Sequence, residues 1–266
     1  MPEDGVCSSE RTAYKQAQFM RLLNLSLIEY KKLNTKVPYT YIDLTAGDGK
    51  NVVDGVSKEG SAILAYRRIK DMPAWNISLV ECNWHRHEKL VKHICEIQEA
   101  PPQGCSRYVV RFGYEKMLRE LLIKRTDIDA EGLIYTDPEG MADLSAFTAF
   151  LPYRKNLDVL FHLGCTGLKR IRNATANNLD STTRSYDPKN LGNHFSKQLE
   201  SIKGFKKNWF ITEPYGKFQW LFLFGTNKEI PTEVLSWMFQ PLDSPEGKEY
   251  VKMATYTKEE LCSLKS

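Results

Sequence analysis

Three short stretches hold the residues whose types and spacing could do chemistry. The first, residues 39–49, reads Tyr-Thr-Tyr-Ile-Asp-Leu-Thr-Ala-Gly-Asp-Gly. Its apolar, β-favouring start predicts a buried strand ending near Leu44, and Ala46, Gly47 and Gly49 then let the backbone turn sharply with nothing projecting above it. A ligand can lie against such a turn, because nucleotide-like molecules bind an α/β sheet outside the carboxyl ends of its strands. The second is Glu81, with Cys82 behind it, closing the apolar run 77–80 about one βαβ unit downstream. A carboxylate there accepts from both hydroxyls of a ribose. The third, Asp137-Pro138-Glu139-Gly140, ends the run 132–136. Three strands thus bring Asp43, Thr45, Glu81 and Asp137 to one sheet edge.

What the pattern lacks is also informative. The turn is Gly-x-Gly without a third glycine at the dinucleotide spacing, and no Gly-Lys-Ser/Thr follows, so neither a pyrophosphate site nor a P-loop is matched. An adenosine ligand without phosphates fits better.

The elements that must position these groups follow from periodicity. Residues 1–10 read as disordered, and a helix over 10–32 carries the apolar positions Ala13, Ala17, Met20, Leu23, Leu27 and Ile28. It either flanks the ligand edge or only covers a sheet face. Residues 50–58 are polar and glycine-broken and predict an extended loop, after which Gly60-Ser61 opens a helix through Ile69. The stretch 84–99 predicts a helix whose His85 and His87 are too close in sequence to share a face, and both are read as solvated. A strand over 107–112, a helix over 115–124, a helix over 144–151 and a buried strand over 158–163 come next. Residues 173–193 carry almost no apolar side chains, which marks a mobile substrate loop or an insertion. Strands over 209–212 and 218–224 and peripheral helices over 233–239 and 257–264 complete the chain.

Length and composition fit one main α/β domain: 266 residues, 42% of them hydrophobic. No apolar window approaches a membrane span and the first residues lack a signal-peptide core, which makes a cytoplasmic protein the expectation. Six irregularly spaced cysteines without a Cys-x-x-Cys pair argue against a zinc ribbon or a disulfide scaffold. A net charge of +4 permits an anionic polymer as substrate without requiring one.

The glycine turn followed by an acid at the second strand end resembles the class I S-adenosylmethionine-dependent methyltransferases. In these the turn faces the amino acid part of the cofactor and the acid holds the ribose. The resemblance implies a Rossmann-like fold: a mostly parallel central sheet, a C-terminal antiparallel hairpin, and helices on both faces. It also implies a cofactor set of Asp43, Thr45, Ala46, Gly47, Gly49, Ser61, Glu81, Cys82 and Asp137. More closely, the chain resembles the three-Cys-motif partner proteins of bacteria and their mobile elements, predicted to be methyltransferase-like. The shared features are residues 41–49, Gly60-Ser61, Glu81, 137–140, Phe195-Ser196-Lys197-Gln198-Leu199, Gly204-Phe205-Lys206, and Gly216-Lys217 running into 220–224. The likeness spans most of 38–227, which would be the methyltransferase-like domain between an N-terminal tail and helix (1–37) and a helical extension (228–266).

Three positions depart from that family: Thr45 and Glu139 stand where it has aromatics, and Asp48 where it has proline. The Glu139 departure bears on the acceptor. Amino-methylating enzymes of nucleic acids use an Asp-Pro-Pro-aromatic turn in which the acid accepts from the exocyclic amine and the aromatic stacks on the flipped base. Here Asp137 and Pro138 are kept, the catalytic set is Asp137, Pro138 and Glu139, and Tyr135 or Tyr215 would have to supply a stacking face. Lys169, Arg170 and Arg172 would contact phosphates or else form a solvated loop edge. The implied function is methyl transfer to a nucleic acid base, DNA favoured over RNA. A carbon-5 pyrimidine enzyme is disfavoured because no cysteine follows a proline, and Cys165 reads as a small buried residue. The alternatives are a non-catalytic protein on the same fold, partnered with a second protein, and a methyltransferase of a protein or small molecule.

Overall fold

The computed structural model describes residues 10–53, 56–124, 130–137, 147, 150–164, 193, 196–197, 199–200, 207–212, 220–238, 242 and 244–255. Pro138, Glu139, Cys165, Lys169, Arg170, Arg172, Tyr215 and the expected helix over 257–264 lie outside them.

Helix α1 (Glu10–Lys32) stands where periodicity placed it, but its buried surface is much wider than the apolar stripe. Thr12, Gln16, Gln18, Arg21, Ser26 and Glu29 are buried as well, whereas Ile28 of the stripe is exposed. The cause is a second cover: α1 packs on the sheet and also against α6 (Pro245–Thr255), whose Tyr250 ring lies 4.6 Å from the Arg21 guanidinium. Strand β1 (Tyr39–Asp43) is buried at every position, as expected of a parallel strand covered on both faces. The expected loop after it is instead an antiparallel hairpin, β2 (Lys50–Val53) with β3 (Val56–Glu59), in which Val53 pairs with Val56. The sequence signal for it is an Asp-Gly dipeptide between two short valine-bearing runs, set among polar residues.

Then follow α2 (Ser61–Ile69), β4 (Trp75–Val80), α3 (Trp84–Ile97), β5 (Ser106–Val110), α4 (Tyr114–Lys124), β6 (Glu131–Thr136), β7 (Leu157–Gly164), β8 (Asn208–Ile211), β9 (Trp220–Thr226) and α5 (Thr232–Met238). Helix α3 starts at Asn83, whose side chain accepts the Arg86 N–H at 3.1 Å and so satisfies one of the helix's free donors.

The seven main strands form one sheet in the order β5-β4-β1-β6-β7-β9-β8. All pairings from β5 to β7 are parallel, and β9 runs antiparallel between β7 and β8. Helices α1, α2 and α3 contribute to the core on one face, and α4 with Phe147, Phe150 and Leu199 to that on the other. This is the Rossmann-like class I methyltransferase fold, with its C-terminal antiparallel pair. The chain moves outward from β1 through β4 to β5 and then returns to place β6 on the other side, so the switch point lies at the carboxyl ends of β1 and β6. The register aligns Asp43 with both Leu79 and Tyr135, and Thr136 with Phe161. Glu81, Asp137 and His162 therefore reach the same edge. Among the described residues, no helix is long and apolar enough to cross a membrane.

Candidate functional site at the carboxyl edge of the sheet

The turn after β1 is braced from within. The Asp43 carboxylate accepts the Thr45 N–H at 3.0 Å on one oxygen and the Tyr41 hydroxyl at 3.3 Å on the other, and Asp43 has no exposed surface. Asp43 thus braces the turn, with both carboxyl oxygens engaged inside the protein. The Ala46 N–H is donated to the Val80 carbonyl at 2.9 Å, pinning the turn to β4.

Gly47 and Gly49 both adopt left-handed backbone, φ +64° and +82°, but their surroundings differ. Among the described residues, a Cβ at Gly47 would meet nothing within 4 Å, whereas one at Gly49 would lie 2.8 Å from Ile63 Cγ1 and 3.1 Å from Leu90 Cδ1. Gly47 leaves room for a ligand; Gly49 makes room for α2 and α3. Gly49 is thus also required by packing, whatever its backbone contacts. His93 of α3 completes the support, its Nδ1 2.9 Å from the Asp48 carbonyl. Since a carbonyl only accepts, Nδ1 carries the hydrogen.

Glu81 sits just past β4, buried, with its Oε1 accepting the Asn83 N–H at 2.7 Å. Cys82 beside it is an exposed free thiol, and Ser61 is half-buried at the start of α2. Adjacent strands are about 5 Å apart, so Glu81 on one side of the turn and Asp137 on the other are roughly 10 Å apart across it. His85 is exposed as expected, but His87 is half-buried with Nε2 3.3 Å from the Val109 carbonyl.

The densest polar contacts surround Asp137. Its backbone N–H is donated to Thr45 Oγ1 at 2.7 Å, joining the ends of β1 and β6. Its Oδ2 takes the Lys15 ammonium at 2.7 Å and its Oδ1 lies 2.5 Å from His162 Nδ1. Lys15 comes from α1 and His162 from the third-last position of β7, so three elements meet at one carboxylate. Sequence reasoning missed both partners. His162 did leave a signal, as a polar residue near the end of an otherwise apolar buried strand. Lys15 left none, because which face of α1 meets the edge depends on packing. Tyr135 was read as a stacking face for a base, but it is 1% exposed, with its ring centroid 4.7 Å from that of Phe19 and 6.4 Å from that of Phe222. That ring belongs to the core.

Burial and its neighbours push these acids apart. Burial raises the Asp43 carboxyl to about 7, with Asp137 and Glu81 adding to the rise against the Thr45 N–H. For Asp137 burial also acts upward, but the His162 and Lys15 charges and hydrogen bonds overcome it and hold the carboxyl well below the usual range. One edge thus carries an acid that stays ionised and another that is protonated in mildly acidic solution.

No family model and no curated protein matches the chain. Among solved structures, the chain is similar to a Legionella pneumophila protein described under the family model DUF519, at 12% identity and TM-score 0.49 over 85% of this chain and 93% of that one. It is also similar to the methyltransferase domain of METTL16, at 10% identity and TM-score 0.42 over 74% and 75%, and to fibrillarin in its complex with Nop5p, at 12% and 0.39 over 71% and 72%. The fold assignment rests on the strand order of the chain itself.

Proposed function

We propose that this chain is an S-adenosylmethionine-dependent methyltransferase acting on a nucleic acid base, with an exocyclic amine favoured as acceptor and DNA favoured over RNA. The observation that carries the reading is the open space above Gly47, flanked by the buried Glu81 carboxylate and the Asp137 cluster at the switch point of the sheet. These residues fit the cofactor: Gly47 leaves room where its amino acid part would lie, and Glu81 is an acceptor of the kind a ribose needs. When bound, the cofactor supplies a methyl group already activated by its sulfonium. The protein's task is then to align and hold the acceptor rather than to activate it. Asp137, with the turn through Pro138 and Glu139, would orient that acceptor, and Lys169, Arg170 and Arg172 would contact phosphates. The motif order shared with the three-Cys-motif partner proteins supports placing the chain in that family.

The test is incubation with methyl-labelled cofactor and a panel of DNA, RNA and cell extract, alongside calorimetry with S-adenosylhomocysteine. Label in nucleic acid is the expected result. Label confined to protein or small molecules would replace the acceptor, and binding of S-adenosylhomocysteine without transfer would favour a non-catalytic partner protein.

A further inference from the structure

We propose that Lys15 and His162 are positioning residues that clamp the Asp137 carboxylate as a fixed hydrogen-bond acceptor, which limits the site to acceptors that present an N–H and attack through their own lone pair. The inference rests on the methyl-transfer reading and adds to it which chemistry Asp137 can perform. Lys15 binds Oδ2 at 2.7 Å and His162 Nδ1 stands 2.5 Å from Oδ1, while the Asp137 N–H is tied to Thr45 Oγ1, so backbone and both side-chain oxygens are fixed from three elements. A carboxylate has about four lone-pair sites, of which two are taken among the described residues. The Asp137 side chain keeps 21% of its surface exposed, so it is not sealed in the core.

A carboxylate stabilised by an ammonium and an imidazole is a poor base. An acceptor that had to lose a proton before attack, such as a hydroxyl or a carbon acid, would find no assistance from it. A ring nitrogen bearing only a lone pair would have nothing to donate to it. An exocyclic amine meets both conditions: one N–H is donated to Asp137 and the nitrogen lone pair points elsewhere. Lys15 lies on α1, far in sequence from Asp137, so seating of α1 and recognition of the acceptor are linked through one ion pair. The Lys15 side chain is 31% exposed, so its replacement spares the core.

The clamp is tested with Lys15→Met, Lys15→Arg and His162→Asn in the full chain. With ¹³C-aspartate label and Asp137→Asn for assignment, the Asp137 carboxyl signal is followed against pH. The midpoint should rise by about one unit or more in Lys15→Met and His162→Asn and stay near wild type in Lys15→Arg. In transfer assays kcat should fall about tenfold or more in Lys15→Met with KM for the polymer little changed, and the acid limb of the rate profile should move to higher pH. Unmoved carboxyl midpoints in both substitutions would overturn the clamp. So would a rate loss uniform across pH that tracks a lower melting temperature. If wild type transfers no label at all, the methyl-acceptor reading fails, while the carboxyl titration still decides whether Lys15 and His162 hold Asp137.

Discussion

The two ends of the central sheet each carry an acid tied to helix α1, buried Asp158 at one and half-buried Asp137 at the other, yet they are built on different plans. At the amino end Asp158 accepts from Ser26 of α1 at 2.7 Å and from Lys228 at 3.2 and 3.3 Å, and Tyr39 donates to Ser26 at 3.1 Å. Lys228 also lies 3.6 Å from Glu131. Lys207 is buried and donates to the carbonyls of Lys155 and Leu157, at 2.5 and 2.8 Å, and to Asn227. Cations and acids are matched there. At the carboxyl end Asp43, Glu81 and Asp137 converge on a turn with open space above Gly47. One end is closed by matched charges; at the other, Asp137 alone of the three acids keeps substantial exposed surface. Helix α1 spans both, since Lys15 to Ser26 is about 16 Å of helix, close to the roughly 20 Å length of β6.

The largest effect expected from this contrast is at the closed end. Asp158→Ala removes the acceptor of Ser26 and Lys228 and leaves a buried ammonium without its main counter-charge, which should cost about 3 to 5 kcal/mol in chemical denaturation. In the fraction that remains folded, S-adenosylhomocysteine affinity should be unchanged. A loss of affinity comparable to the loss of stability would mean that the two ends are not independent.

The two glycines divide the same contrast within a single turn. Gly49→Ala places a Cβ into Ile63 and Leu90 and should destabilise by about 1 to 3 kcal/mol. Gly47→Ala meets no neighbour, so its stability cost is the left-handed backbone alone, about 1 kcal/mol, while ligand binding should fall sharply. Melting and calorimetry on the pair separate the roles, and equal behaviour would erase the distinction. Glu81→Gln is the milder companion. It keeps an oxygen for the Asn83 N–H but removes the charge, and should weaken S-adenosylhomocysteine binding by about 1 to 3 kcal/mol with little change in stability.

How much of this was legible in the sequence differs between the two ends. Strands β1, β6 and β7 are mostly apolar and buried on both faces, whereas β4 alternates, with Asn76 and Ser78 half-buried, and both patterns mark strands. The residues that end them, Asp43, Glu81 and Asp137, could therefore be placed at one edge before any coordinates. What could not be read was direction at short range. Asp43 and Gly49 face into the protein and Gly47 faces out, a difference set by where Tyr41, Ile63 and Leu90 lie in three dimensions. Lys15 and the whole amino-end cluster were hidden because α1 is covered on two sides, so its polar positions do not mark a solvent face. The helix over 245–255 was also unread, and it packs against α1.

The smallest predicted effect is also the most direct comparison of the two buried acids, because Asn replacement should act in opposite senses. Burial raises Asp43 to about 7, above its unfolded value of about 4, so the folded chain holds a proton there that the unfolded chain has already released. The stability this confers is complete below about pH 4 and is lost as pH climbs through 7, with a slope of at most about 1.4 kcal/mol per pH unit. Asp43→Asn keeps an oxygen for the Thr45 N–H and cannot ionise, so it should flatten that decline and leave the variant more stable than wild type at pH 8. Asp158→Asn should be less stable than wild type at the same pH, since the Lys228 charge it leaves behind is buried. Denaturant melts of both variants at pH 5 and pH 8 test the pair. A wild-type curve with no decline between these values, or an Asp43→Asn variant that loses stability at pH 8 as Asp158→Asn does, would show that Asp43 is held ionised in the fold as well, and the contrast between these two acids would fall.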